Sequence, residues 1–475
     1  MPNILFLTFP EHGQATIHLA TAFEIYSRQI SGVDVHVASA PNLKPRFDQV
    51  KARVDAIDSG AHGSEAIFHT VLQYSYAEAV KRCGYATQDT YVHPPARRSS
   101  RHLDLITTAC PYPVDDYMAC TDECQALMKK LAPAVVIIDV LFSQAIDACK
   151  LAKQPYVAFS PLPGCATSMG NQPHGRALWY YPSVGTDVAF PIPWSDFFPN
   201  IINTFRLAYA AFTNPDVKAT NAAREARGCT WMHPVFTISN TEPDVPVLSA
   251  GVPEVDFPFV APPELHMFGA VSVLCAPLAE CDPELEAWLN RGETILMVMG
   301  SHIQYDAPLA RRVLAGLLGG AGNRQILWKV HERDALTELW DEMLTTQRDR
   351  ERVRIVKWFE PEPAIIAEHE NVVCYVHHGG ANSYFEAARA GTPQVILPVW
   401  MDTYHNAMRL EYCGLGVYGS RQAAPDVDAT ELAVAVSAVV YGSKKFSAHR
   451  QYCVPAANLL RALCEHDVAP ASGQA

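Results

Sequence analysis

The chain has no apolar run that approaches the roughly 18–20 residues needed to span a bilayer. Its longest candidate, Leu432 to Val440, is bounded by Glu431 and by Lys444-Lys445 and reads as a core helix. Charge is sparse. Only 18% of residues are Asp, Glu, Lys or Arg, and 37 basic residues against 50 acidic ones leave a net charge of −13 with no long single-sign run. That balance argues against a nucleic acid or an anionic membrane surface as the main partner. The 13 cysteines form an odd set without a CxxC pair, and Cys120 and Cys124 are spaced as one helix face. Neither a disulfide framework nor a metal site is expected, and the thiols fit a cytoplasm. Two nucleotide signatures are missing. Pro10-Glu11-His12-Gly13-Gln14-Ala15 offers one glycine where a dehydrogenase needs a cluster, and there is no G-x-x-x-x-G-K-[ST] loop. Nor does Met1-Pro2-Asn3 resemble the basic start of a secretory signal; it leads straight into an apolar first strand.

What is present is 49% hydrophobic residues over 475 positions, enough for two or three domains of roughly 100–200 residues. Short, nearly continuous apolar runs alternate with amphipathic stretches. In the first half the runs lie at 4–9, 33–38, 134–139, 156–160 and 235–239. In the second they lie at 294–299, 325–330, 353–358, 372–377 and 394–399. Strands apolar on both faces and separated by helices such as 309–318 and 384–390 predict parallel sheets covered on both sides. The series restarts after a loop with two prolines, Cys275-Ala276-Pro277 to Cys281-Asp282-Pro283, so the fold class is α/β with two doubly wound domains joined near 270–285. One stretch breaks the alternation. Residues 161–199 are rich in proline and carry Trp179, Tyr180, Tyr181, Phe190, Trp194, Phe197 and Phe198. They read either as a loop packed on its own aromatics or as the wall of a pocket for a flat apolar ligand.

In such sheets ligands sit beyond the carboxyl ends of the strands. One end is His377-His378-Gly379-Gly380-Ala381-Asn382-Ser383 running into a helix; another is Gly300-Ser301 after the run at 294–299. Glycines admit a close backbone approach, Asn382 and Ser383 bring donors, and a helix start points N–H groups outward. Two such turns facing one cleft would hold a diphosphate without a lysine. His377 and His378 would not share a metal, because neighbours in a strand point to opposite faces. Asp426-Val427-Asp428 spells a short acidic pair, but Asp428-Ala429-Thr430-Glu431 matches a helix cap better.

From Trp358 to Asn406 the sequence resembles the sugar-nucleotide signature of the family 1 UDP-dependent glycosyltransferases that act on small molecules, in a fungal-like branch. The matching residues are Trp358, Pro361, His369, His378-x-Gly380-x-Asn382-Ser383-x-x-Glu386, Gly391-x-Pro393, Pro398 and Asp402. The register holds without gaps from His369 to Thr403, and is two residues longer than the family's between Trp358 and His369. Weaker likeness covers most of the chain, least over 50–130 and 161–230. The resemblance implies the GT-B fold: an acceptor-binding Rossmann-like domain at 1–272, a linker at 273–284, a UDP-sugar-binding domain at 285–451, and a tail at 452–475 packing back on the first. It implies that Trp358, or Phe359 given the insertion, stacks on uracil and that Glu386 accepts the ribose hydroxyls. Ser301, His378, Asn382 and Ser383, with the Gly380 amide, would hold the diphosphate, and Asp402 with Thr403 would contact the sugar. Where the family has glutamine and tryptophan, this chain has Thr403 and Ala381, which bears on sugar choice; glucose is the first expectation.

The implied reaction inverts the anomeric centre, without metal or cofactor, as an acceptor hydroxyl displaces UDP. It needs a base and a group to orient that base. Asp139, closing the apolar run at 134–139, stands where the family has its aspartate; otherwise it would cap the next helix. The family's histidine position is Gln14, which cannot act as a base. His12, in the same turn, is the expected base, and His18, one helical turn deeper, is expected to be packed structure. The expected activity is O-glycosylation of an aromatic small molecule such as a flavonoid, another phenolic or a polyketide, against Trp179, Tyr180, Trp194 and Phe197, by a monomer or weak dimer with no membrane anchor. Gln14 motivates a second class, a UDP-sugar-binding relative without catalysis; a UDP-sugar epimerase on the same architecture is a third.

Overall fold

The computed structural model describes residues 3–28, 32–57, 64–84, 92–100, 103, 110–300 and 303–442. Two all-parallel sheets carry the fold. The first holds β1 (Asn3–Leu7), β2 (Asp34–Ser39), β3 (Ala66–Thr70), β4 (Val135–Asp139), β5 (Val157–Ser160), β6 (Val247–Ser249) and β7 (Leu265–Met267), in the order β3-β2-β1-β4-β5-β6-β7. The second holds β8 (Thr294–Val298), β9 (Gln325–Lys329), β10 (Val353–Val356), β11 (Val372–His377), β12 (Gln394–Ile396) and β13 (Gly416–Tyr418), in the order β10-β9-β8-β11-β12-β13. Both orders reverse beside the first strand, between β1 and β4 and between β8 and β11, and each reversal leaves a crevice at the carboxyl ends. The helices that matter to those crevices are α1 (His12–Ser27), α2 (Lys44–Ile57), α3 (Ser143–Ala152), α4 (Trp194–Thr213), α5 (Ala307–Ala321), α6 (Ala381–Ala390), α7 (Met401–Tyr412) and α8 (Ala429–Gly442).

The central strands are apolar on both faces because both faces are covered. Every residue of β8 and β9 is buried, and α5 with α8 pack against that sheet through Leu314, Leu317, Leu432 and Val436. The expected strand at 235–239 is absent. Pro234 opens a 3-10 turn there, capped by His233 Nδ1 accepting the Val235 amide, and the strand forms instead at β6. The short edge strands β3, β7 and β13 are not legible as apolar runs.

The expected tail at 452–475 lies outside the described residues. Asp428 caps α8 through its Oδ1, which accepts the Thr430 and Glu431 amides at 2.9 Å each, while Asp426 pairs with Arg312. The proline-rich excursion packs partly on itself and partly on both halves of the chain: the Tyr181 and Phe190 rings stack, and Phe190 meets Phe257 and Tyr412. Its end forms α4, a helix with an inverted pattern. Asn200 and Asn203 face inward and bond to residues 181–184, whereas Trp194, Phe198, Phe205 and Tyr209 face outward.

The two sheets are joined by buried polar contacts as well as by a shared apolar core. Arg409 of α7 donates to Asp256 at 2.7 Å with both side chains almost fully buried, and the Tyr384 hydroxyl donates to the Val255 carbonyl at 2.7 Å. Asp256 also accepts the Cys165 and Phe257 amides, so its charge is fully used. Removing the guanidinium would strand a buried carboxylate. Arg409→Met is expected to destabilise the protein by about 3–5 kcal/mol. Adding Asp256→Asn, which removes the charge and keeps an acceptor, should recover part of that loss. Thermal denaturation of the two variants checks both statements.

Candidate active site

A cleft of about 480 Å³ opens where the two crevices meet. One wall belongs to the second sheet and α6: Gly300, Lys329, Trp358, Glu362, His378, Gly380, Asn382, Ser383, Glu386 and Asp402 all line it. The other belongs to the first sheet: Phe9, Glu11, His12, Gln14, Tyr76, Leu141, Pro161 and Leu162. Both α1 and α6 therefore present their first turns to the same space, and they are tied together, with Asn382 Nδ2 donating to the Gly13 carbonyl at 2.9 Å.

The backbone after β11 is shaped by glycine. Gly379 has φ +90°, a conformation that side chains resist, and a Cβ there would stand 2.8 Å from Ile396. Gly300, at φ +75°, and Gly380, at φ −60°, flank the His378 ring so tightly that a Cβ would come within 2.8 and 2.5 Å of it. The two histidines do face opposite ways. His377 is buried, its Nδ1 accepting the Gly379 amide and its Nε2 donating to Gln394 at 2.9 Å, and burial pushes its pKa down to about 4. His378 lines the cleft beside the Trp400 ring.

Two expected donor-site positions do not face the cleft. Phe359 is packed in the core with Leu285 and Ile366, while Trp358 is half-exposed and lines the cleft. Thr403 is buried, and its hydroxyl accepts the Val399 and Trp400 amides at 3.0 Å each, closing the cap of α7. A hydroxyl spent on a cap cannot also read a sugar. Asp402 does line the cleft, with its Oδ1 held by Trp400 Nε1 at 2.9 Å, and burial raises its pKa. Burial, with Glu362 nearby, pushes Glu386 up to about 7. Ser301 lies outside the described residues. Of the excursion at 161–199 only Pro161 and Leu162 line the cleft; Trp179 and Trp194 are on the outer surface.

His12 opens α1, exposed, at the cleft. Asp139 is fully buried and does not line the cleft, accepting the Leu141 amide at 2.9 Å and the Phe9 amide at 3.4 Å, and it leaves the first turn of α3 uncapped. Burial pushes its carboxyl up to about 7. The imidazole beside it is that of His18, with Nε2 4.0 Å from Asp139 Oδ2. His18 is fully buried between Phe6 and Phe159, and burial lowers its pKa to about 3.

Sequence reasoning missed Lys329 and the Arg46–Glu362 contact. Lys329 closes β9 and lies 4.5 Å over the Trp358 ring; a charge ending an apolar strand was the available signal, as at Asp139. Arg46 and Arg53 of α2 both donate to Glu362, at 2.7 and 2.5 Å, joining the two walls. Among the described residues no group of three or more His, Cys, Asp or Glu is gathered to hold a metal, and no helix is long and apolar enough to cross a membrane.

Known proteins resemble this chain in sequence and in fold. Residues 338–457 match the family model described as erythromycin biosynthesis protein CIII-like, C-terminal domain. Glycosyltransferase sdnJ of Sordaria araneosa is 31% identical over 441 residues, covering 89% of this chain and 84% of that protein. UDP-glycosyltransferase stmC of Aspergillus ustus is 29% identical over 198 residues, 38% of this chain and 37% of that protein. The crystal structure of the glycotransferase of kitacinnamycin superposes with a TM-score of 0.62 over 99% of this chain and all of that one at 15% identity, a likeness of fold.

Because Gly380 has an ordinary φ, Gly380→Ala costs the backbone nothing and acts only by displacing the His378 ring. UDP affinity is expected to fall about tenfold or more with little change in melting temperature, the former read by calorimetry.

Proposed function

The chain belongs to the family 1 UDP-dependent glycosyltransferases and transfers a sugar from a UDP-sugar, and from that premise we propose an inverting, metal-independent O-glycosyltransferase that moves glucose to a hydroxyl of an aromatic small molecule. The observation that carries the reading is the single cleft with anion-suited helix starts on both walls and an imidazole at the edge of one. UDP lies along the second wall, its uracil on Trp358, its ribose hydroxyls on Glu386, and its diphosphate at the start of α6 with His378, Asn382 and Ser383. The acceptor lies against Phe9, Tyr76, Leu141 and Leu162, an apolar surface in which the Phe9 and Tyr76 rings meet edge to face at 5.3 Å.

In this reading the acceptor oxygen forms its bond to the anomeric carbon as the bond from that carbon to the UDP oxygen breaks. The acceptor proton passes to His12, and the charge that develops on UDP is met by the amides at the start of α6. Asp139 serves as a positioning residue. Its bond to the Phe9 amide steadies the strand end that leads into the His12 turn. A dyad of His18 with Asp139 is the second reading, favoured by their 4.0 Å approach, but His18 is fully buried and does not line the cleft. Sugar selectivity rests on Asp402 and Trp400, since Thr403 is engaged in its cap.

Three outcomes test the proposal. Incubation with a phenol panel and UDP-glucose, UDP-galactose or UDP-glucuronate in turn, without added metal, should give a hexose adduct by mass with UDP-glucose; adducts with another donor alone would overturn the choice of sugar. His12→Ala should lower turnover of alcohol acceptors about a hundred- to ten-thousandfold while UDP still binds; normal turnover there, with loss in His18→Ala, would transfer the role to His18. Ionised Glu386 is the better acceptor for ribose hydroxyls, and its carboxylate is lost as pH falls below about 7. The donor KM should therefore rise from pH 8 to pH 6, and Glu386→Gln should raise KM at pH 8 and remove that dependence.

A further inference from the structure

Of the lysine and arginine side chains that line the cleft among the described residues, Arg46 is paired with Glu362 and Lys329 has no carboxylate partner. It is 8% exposed, lines the cleft, and makes no hydrogen bond or ion pair among the described residues. The groups around it do not satisfy it. Glu362 acts on it from a distance but is already held by Arg46 and Arg53; His331 packs against the same Trp358 ring; Glu386 and Arg46 line the same end of the cleft. Its contact is the face of Trp358, 4.5 Å from the ammonium to the ring centre. A cation nine-tenths buried without a partner is costly, and a site that keeps one is built for a ligand oxygen.

We propose that Lys329 donates a hydrogen bond from its ammonium to the 4-carbonyl oxygen of a uracil that stacks on Trp358, and so makes the cleft prefer uracil to cytosine. The inference rests on the reading of Trp358 as the platform for the base. A pyrimidine laid on that ring comes into range of the ammonium now resting against it. The ammonium has three donors and no acceptor. It meets the 4-carbonyl of uracil, but opposite the 4-amino group of cytosine it finds another donor. Burial lowers Lys329 to about 8, against the pull of Glu362, so the donating form is lost as pH rises through that value.

The test compares the intact protein with Lys329→Met, which keeps the apolar stem, and Lys329→Arg, which keeps the donors. Binding of UDP, uridine and CDP is measured by calorimetry or competition, with melting temperature as the check on folding. In Lys329→Met, UDP and uridine should both weaken about ten- to a hundredfold while CDP changes little, so that the preference for UDP collapses. Lys329→Arg should retain that preference. Weakening of UDP with uridine unchanged would mean that the lysine meets the phosphates, and would overturn the proposal; so would unchanged binding of all three. If Lys329→Met does not fold, the native protein still decides: its preference for UDP over CDP should fall between pH 7 and pH 9, and a flat ratio overturns the proposal. Failure of the native protein to bind UDP at all would instead count against the donor site itself.

Discussion

Two helix starts aimed at one space set the terms for the rest of this structure. The first turns of α1 and α6 both line the cleft, and Asn382 bonds one to the other. Each carries the partial positive charge of its free amides, and bringing two together without an anion between them is unfavourable. The arrangement resolves an apparent conflict in the sequence, where a chain of net charge −13 has to bind a dianion. Its attraction for the ligand is local and made of backbone amides, so it needs no basic surface. Lys329 is an exception in kind, a full charge at the end where the base would lie.

The cost of holding those helix starts in place is met by contacts between the two halves. Arg409 with Asp256, Tyr384 with the Val255 carbonyl, and Arg46 and Arg53 with Glu362 all cross between the sheets. They differ in character. The Arg409 pair is fully buried and backed by two amides, so it is intolerant of loss of one partner. The Glu362 cluster lies at the rim of the cleft, with side chains 13–16% exposed, where solvent weakens each pair. A fold that is fixed at its core and looser at the mouth of its site is the expected division for an enzyme that must admit and release a nucleotide.

The sheets were legible because their central strands are apolar on both faces, and the donor wall was legible because chemistry clusters within one strand-turn-helix, 372–390. Trp358 and Phe359 could not be ranked from spacing alone, since one residue's difference turns a side chain from cleft to core. Thr403 looked like a shorter sugar ligand, yet threonine beside a helix start has a competing use as a cap, and that use prevails. The aromatics of α4 were a misleading signal of another kind. Aromatic content fits a pocket wall as well as a self-packed loop, whereas the inward positions of that helix belong to Asn200 and Asn203. Composition shows that apolar surface exists and not which way it points.

Asp139 illustrates how a correct inference about cost leaves the partner open. A carboxylate closing an apolar strand requires compensation. The structure supplies it through two backbone amides, with the His18 ring at 4.0 Å. Burial drives the two side chains toward their uncharged forms, the acid up to about 7 and the imidazole down to about 3. Where the ionised acid and the charged imidazole both carry a burial cost, neither can rely on the other as a permanent counter-ion. What Asp139 reliably supplies is an acceptor for the Phe9 amide, and so a fixed exit from β1. Anchoring a turn in this way does not depend on which residue of that turn carries an imidazole.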